Sequence, residues 1–271
     1  MHRAAFRVVV WTSVLGGAVA CERGRGWGAG EGSHEASHEV AGSEAPTEEH
    51  GAELRGPRRP PALGSEGARD HAAMIERARE RLLEHAQLGP GMSIAEIGAS
   101  RGWFVDRAAL ALGPTGVVYA TDIDPEAVAA LRELAARANP ERARIEVRAC
   151  ADERDTGLRE VPDGSLQRML MIDSLCFDGR FARADDVVYL RELLRTLAPD
   201  GRLIHHMDCA CEATAEGVIE LFEEAGFAAT VRRVELPQPD PGDPTWTCQT
   251  PAQRERHELV FEFSRWAKRH R

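Results

Sequence analysis

Residues 94–102 read Ile-Ala-Glu-Ile-Gly-Ala-Ser-Arg-Gly, an apolar run that carries one carboxylate, Glu96, and breaks into a turn of small residues. Gly98 and Gly102 permit a tight turn that lets a ligand approach the backbone. A helix beginning beyond that turn would offer N–H groups without intrahelical partners. About twenty residues further on, a second apolar run ends at Asp122, a carboxylate suited to accept hydrogen bonds from two ribose hydroxyls. Together these residues describe a nucleoside pocket. A further carboxylate, Asp173, follows the mainly apolar run 166–172.

Asp173, His205 and His206 are the candidates for a general base. The two histidines are adjacent in an apolar run, so on a strand their side chains point to opposite faces. One could reach a cleft, but packing in the core or against a helix is the expected role of both. Cys209 and Cys211 would share a face if the chain stays extended, and without a matching ligand pair nearby they are expected to be buried, inert thiols. The six cysteines show no paired C-x-x-C spacing, so no metal site is expected. His34, His38 and His50, scattered among glutamates, read as solvated side chains, with metal ligation as the alternative. Trp246 is read as an anchoring contact or a cover over an acceptor.

These groups need a scaffold, and the periodicity supplies one. An amphipathic helical pattern begins near Asp70 and stops at Gly89-Pro90-Gly91. Strand-like and helix-like runs then alternate: 93–97, 105–112, 117–121, 126–138, 145–149, 166–172, 184–197 and 202–207. Such alternation predicts a doubly wound, mostly parallel α/β sheet with helices on both faces. A helix over 213–225 ends at Gly226, and strands are expected near 229–236 and 258–263 with no helical pattern between them. Strands without a crossover helix can pair antiparallel. The Pro- and Asp-rich stretch 237–254 is read as a long loop.

With 271 residues, 43% of them hydrophobic, the chain can bury a sizeable core. A formal charge of −10 without a long basic stretch argues against a nucleic-acid partner. Arg3 and Arg7 precede an apolar run over 8–20 that is too short to span a bilayer, which reads as an export signal. Its end, Ala18-Val19-Ala20-Cys21, is similar to the lipobox of bacterial lipoproteins and would make Cys21 a lipid anchor and the sole tie to a membrane. Expected boundaries are therefore a signal peptide at 1–21, a disordered linker at 22–68 poor in large aliphatic residues, and one domain at 69–271. An exported location is expected, with a cytoplasmic one as the alternative.

The stretch from Glu96 to Gly102 resembles the first motif of class I S-adenosylmethionine-dependent methyltransferases, an acidic residue followed by Gly-x-Gly-x-Gly. Asp122-Ile123-Asp124-Pro125 is similar to the second motif, residues 190–203 to the family's helix, turn and fifth strand, and 221–227 to the helix that follows. The resemblance covers about 70–263. It implies a seven-stranded Rossmann-like sheet with a C-terminal antiparallel hairpin, and S-adenosylmethionine as cofactor. Glu96 would lie near the methionine amino end, and the turn of Gly98, Ser100 and Gly102 beneath the methionine and ribose. Asp122 would hold the ribose diol, Ile123 would pack on adenine, Asp152 would approach the adenine amino group, and Asp173 would sit beside the methyl donor as the catalytic residue. Ser100 departs from the pattern by replacing the middle glycine, and Asp200 replaces a glycine before the fifth strand. After Asp173 the segment Ser174-Leu175-Cys176-Phe177 offers no evident base. The implied activity is methyl transfer to a small-molecule acceptor. The alternative is a noncatalytic binding module that keeps the fold, while an NAD-dependent oxidoreductase is disfavoured by Glu96 and the terminal hairpin.

Overall fold

The computed structural model describes residues 65–207, 211–237, 248 and 250–265. The expected signal peptide with Cys21, nearly all of the linker with its histidines, Cys209 and Trp246 lie outside the described residues.

The chain order is α1 (Ser65–His85), β1 (Ser93–Ile97), α2 (Trp103–Leu112), β2 (Val117–Asp122), α3 (Pro125–Ala136), β3 (Arg144–Ala149), β4 (Leu166–Ile172), α4 (Arg183–Thr196), β5 (Leu197–His206), α5 (Ala215–Ala225), β6 (Phe227–Arg233), α6 (Pro251–His257) and β7 (Leu259–Arg265). The seven strands form one sheet in the order β3-β2-β1-β4-β5-β7-β6, parallel except for β7, which runs antiparallel to both β5 and β6. This is the class I methyltransferase, Rossmann-like architecture. Winding reverses between β1 and β4, so their carboxyl ends diverge into a crevice, the usual ligand site of open α/β sheets.

Period-two alternation divides the core between the two faces. On one face Met169, Met171 and Leu203 pack with Leu190, Leu193, Leu221 and Phe222 of α4 and α5. Phe222 stacks on Phe263 with ring centroids 3.7 Å apart, and its full burial contributes about 1.5–3 kcal/mol. On the other face Ile94 and Val118 lie under α2 and α3, while Leu170, Ile172 and Ile204 meet Leu82 and Ala86 at the end of α1.

Local chemistry sets the ends. Asp124 caps α3 by accepting a hydrogen bond from Glu126 N at 2.9 Å, with Pro125 in the first turn. Gly226 closes α5 at φ 106°, which lets β6 begin at the next residue. Gly201 has a steric role: a Cβ there would stand 2.6 Å from Leu166 O. The neighbouring Asp200 is exposed and lies within β5, which begins at Leu197, earlier than expected.

Two expectations are corrected. The stretch between β6 and β7 is not loop throughout, because Thr250 and Gln253 form a capping box that starts α6, with Pro251 at its first position. Cys211 is not an inert thiol but is disulfide-bonded to Cys176, with Cα atoms 5.4 Å apart. Closing a loop between positions separated by 35 residues removes unfolded-chain entropy worth about 4 kcal/mol. The bridge also ties the segment after β4 to the segment after β5. Cys248 is disulfide-bonded as well.

Candidate active site

The carboxyl ends of β1, β2, β4 and β5 carry the chemistry. After β1 the backbone turns through Gly98 (φ 70°), Ser100 (φ 49°) and Gly102 (φ 83°) into α2. Gly102 is needed for packing as much as for the turn, since a Cβ there would lie 2.8 Å from Leu134 and 2.9 Å from Leu131 of α3. Ser100 holds a left-handed backbone that a side chain disfavours by about 1–2 kcal/mol. Its N–H donates to Asp122 Oδ2 at 2.7 Å, and Asp124 N donates to Asp122 Oδ1 at 2.9 Å. The carboxylate closing β2 thus faces the turn after β1, with each oxygen keeping a second lone pair for a further donor. Ile123 beside it is half-buried.

Glu96 points toward α1 and α2 and is 4% exposed. The Val105 backbone N–H hydrogen-bonds its carboxyl, whereas Oε2 has no partner. Burial, reinforced by the negative charge of Asp122, pushes this carboxyl well above the usual range, opposed by Arg79. Arg79 is held over the site by a latch one turn earlier on α1, where Glu76 accepts from Trp103 Nε1 at 2.7 Å and from Arg107. Arg79 and Arg107 both lie over the Trp103 ring, 5.7 and 3.9 Å from its centroid.

Asp173 follows β4 at φ 51°, one of three non-glycine residues with positive φ among the described residues. Its N–H donates to His206 O at 3.1 Å, and its Oδ1 lies 2.6 Å from His206 Nδ1. His205 and His206 do face opposite ways, and both are fully buried. His205 sits among Phe177, Phe222 and Phe261, whereas His206 faces α6 and bonds Asp173. The packing expected of both histidines therefore holds, His205 in the core and His206 against a helix, but His206 also bonds the Asp173 carboxylate. What singled out His206 was its place at the end of a strand next to the one ending in Asp173.

Ser174 packs on Gly98, where a Cβ would meet Ser174 Cβ at 2.5 Å, and its buried Oγ has no partner. Asp152 lies apart on the loop after β3, exposed, with Oδ1 accepting from Arg154 N at 2.7 Å. The structure thus gathers Glu96, Gly98, Ser100, Gly102, Asp122 and Asp173 at one edge, with Asp152 at its periphery.

The residues present fit S-adenosylmethionine. The unpartnered Oε2 of Glu96 suits an amino group, and Asp122 retains acceptor capacity for a ribose diol. Residues 95–205 match the family model described as a methyltransferase domain. No curated protein matches the chain in sequence. Among solved structures, the methyltransferase in the complex with the Haloferax volcanii Trm112 methyltransferase activator is similar, with 16% identity, 74% of this chain and 94% of that one covered, and a TM-score of 0.51. A SAM-dependent methyltransferase from Aquifex aeolicus gives 18% identity, coverage of 68% and 87%, and a TM-score of 0.45. A TehB-like SAM-dependent methyltransferase from Corynebacterium glutamicum gives 17%, 73%, 97% and 0.47. With its sheet order and its glycine turn in agreement, the chain has the class I, Rossmann-like fold and is similar over residues 95–205 to methyltransferase domains.

Proposed function

We propose that the protein transfers a methyl group from S-adenosylmethionine to a small-molecule acceptor. The observation that carries this reading is the pairing of Glu96, buried with an unpartnered oxygen, with Asp122 across the Gly98–Gly102 turn. When bound, S-adenosylmethionine supplies a methyl group on a positively charged sulfur. Glu96 would hold its amino end, Asp122 its ribose diol and Ile123 its base, so the protein's main contribution would be alignment for an in-line displacement. Asp173 takes the acceptor's proton.

Calorimetry with S-adenosylmethionine, S-adenosylhomocysteine and NAD tests the reading. The first two should bind and NAD should not, and Asp122→Ala should weaken S-adenosylhomocysteine about tenfold or more, the loss of a charge-assisted hydrogen bond. Binding of NAD alone would point to an oxidoreductase. Binding of none of the three would favour the noncatalytic module, a reading supported by Ser174 pressed against Gly98 and by the left-handed Ser100. A screen of acceptors with labelled S-adenosylmethionine then identifies the substrate.

The disulfide at Cys176–Cys211 and the bonded Cys248 support a location outside the reducing cytosol. With the leader, they support an exported protein anchored through Cys21. Labelled palmitate should enter the wild type and not Cys21→Ala, and equal labelling would end the lipoprotein reading.

A further inference from the structure

We infer that His206 is a positioning residue for methyl transfer: a buried imidazolium, hydrogen-bonded at both ring nitrogens, that fixes Asp173 as a carboxylate and turns its outer edge toward the proton-bearing atom of the acceptor. The inference rests on the methyltransferase reading for its purpose, but not for its geometry.

The hydrogen bonds locate the protons. His206 Nε2 lies 2.8 Å from the backbone carbonyl oxygen of His257, and a carbonyl only accepts, so Nε2 carries a hydrogen. Nδ1 then faces Asp173 Oδ1 at 2.6 Å, a close contact just short of the roughly 2.7–2.9 Å usual for an N–H···carboxylate bond between charged groups. Two protons on the ring and none on the carboxyl is the arrangement favoured by the surroundings. Burial pushes the Asp173 carboxyl up, but the charge and hydrogen bond of His206, with further help from His257 and Arg79, outweigh it and hold the group below the ordinary carboxylate range. The other ionisable neighbours do not compete for that proton. The Glu96 carboxyl on β1 is pushed well above the usual carboxylate range by burial, and His205 and His257 are pushed by burial to about 4, so both histidines are neutral near pH 7.

The placement is directional. His206 is fully buried, while 39% of the Asp173 side chain is accessible, so the ring stands behind the carboxylate and the carboxylate stands in front. The backbone bond from Asp173 N to His206 O ties the same two residues a second time. That double tie holds Asp173 at φ 51°, a conformation costing about 1–3 kcal/mol that structures retain where a side chain must be aimed. A carboxylate stabilised by an imidazolium is a weak base. It therefore takes a proton late, once bond formation has placed positive charge on the acceptor atom. The chemistry fits an uncharged amine or hydroxyl, whose charge grows as the sulfur loses its own.

The test is nitrogen-15 NMR of the full chain labelled at histidine, with His206 assigned by the signal missing in His206→Gln. The wild type should show one ring with both nitrogens protonated from pH 6 to pH 8, and Asp173→Asn should convert that ring to a neutral tautomer protonated on Nε2. A neutral His206 ring in the wild type at pH 7.5 would overturn the inference. S-adenosylhomocysteine should bind His206→Gln within about threefold of wild type, a free-energy difference below about 0.7 kcal/mol. A loss beyond tenfold would place the ring on the donor side and overturn the acceptor-side assignment. If the wild type binds no S-adenosylhomocysteine but keeps the doubly protonated ring, the methyltransferase reading fails and the ion pair stands.

Discussion

Replacing His205 by phenylalanine should remove much of the protein's sensitivity to acid. His205 Nδ1 lies 3.1 Å from the Met171 carbonyl and must donate to it, which leaves Nε2 as a bare, buried acceptor without a partner. The ring is surrounded by Phe177, Phe222 and Phe261 at centroid separations of 5.8–6.0 Å. A proton on Nε2 would put a charge where nothing receives it, and burial accordingly lowers the pKa from 6.5 to about 4. For a base whose folded pKa is depressed, the native state loses stability as pH falls below the unfolded value, and the loss levels off only below the folded one. At pH 4.5 the loss relative to pH 8 is about 2–3 kcal/mol. Phenylalanine cannot titrate. At pH 8 the substitution exchanges one hydrogen bond for relief of an unpaired nitrogen, each about 1 kcal/mol, and should be nearly neutral. Urea unfolding at both pH values reads the outcome, and His257, which titrates in the same window, cancels in the comparison. The reasoning is refuted if His205→Phe loses as much stability between pH 8 and pH 4.5 as the wild type does.

Ser100→Gly should raise stability by about 0.5–1 kcal/mol, because release from the left-handed backbone exceeds the added freedom of glycine in the unfolded chain. Chemical denaturation checks this, and a loss of stability would mean that the Ser100 hydroxyl has a structural partner. Glu96→Gln should be more stable than wild type at pH 9, since a carboxyl with a raised pKa contributes fully at low pH and loses that contribution as pH rises through the folded value. The same variant should bind S-adenosylhomocysteine about tenfold more weakly, and wild-type binding should release a proton from Glu96, seen as an enthalpy that depends on the buffer. Equal enthalpies across buffers would show that Glu96 does not receive the amino group.

Much of the sheet was legible because strands buried on both faces are rich in apolar residues, and β4 at Leu166–Ile172, apolar except at Gln167 and Arg168, has the bounds expected from sequence. The short α6 was overlooked although Thr250-Pro251-Ala252-Gln253 is a capping-box pattern, because seven residues are too few for a visible apolar stripe. The opposed faces of His205 and His206 followed from strand geometry. Which of them touches a carboxylate did not, since that depends on β4 lying beside β5.

Sequence alone determined the local chemistry: a turn that needs glycine, carboxylates at strand ends, and the alternation that makes a parallel sheet. These are short-range properties, set by steric freedom and by the period of apolar residues. Tertiary structure decided what pairs with what. Cys176 meets Cys211 across 35 residues, Ser174 fills the space over Gly98, and Asp173 gains His206 as its partner. Each of these contacts joins residues distant in the chain, brought together when β4 settles between β1 and β5.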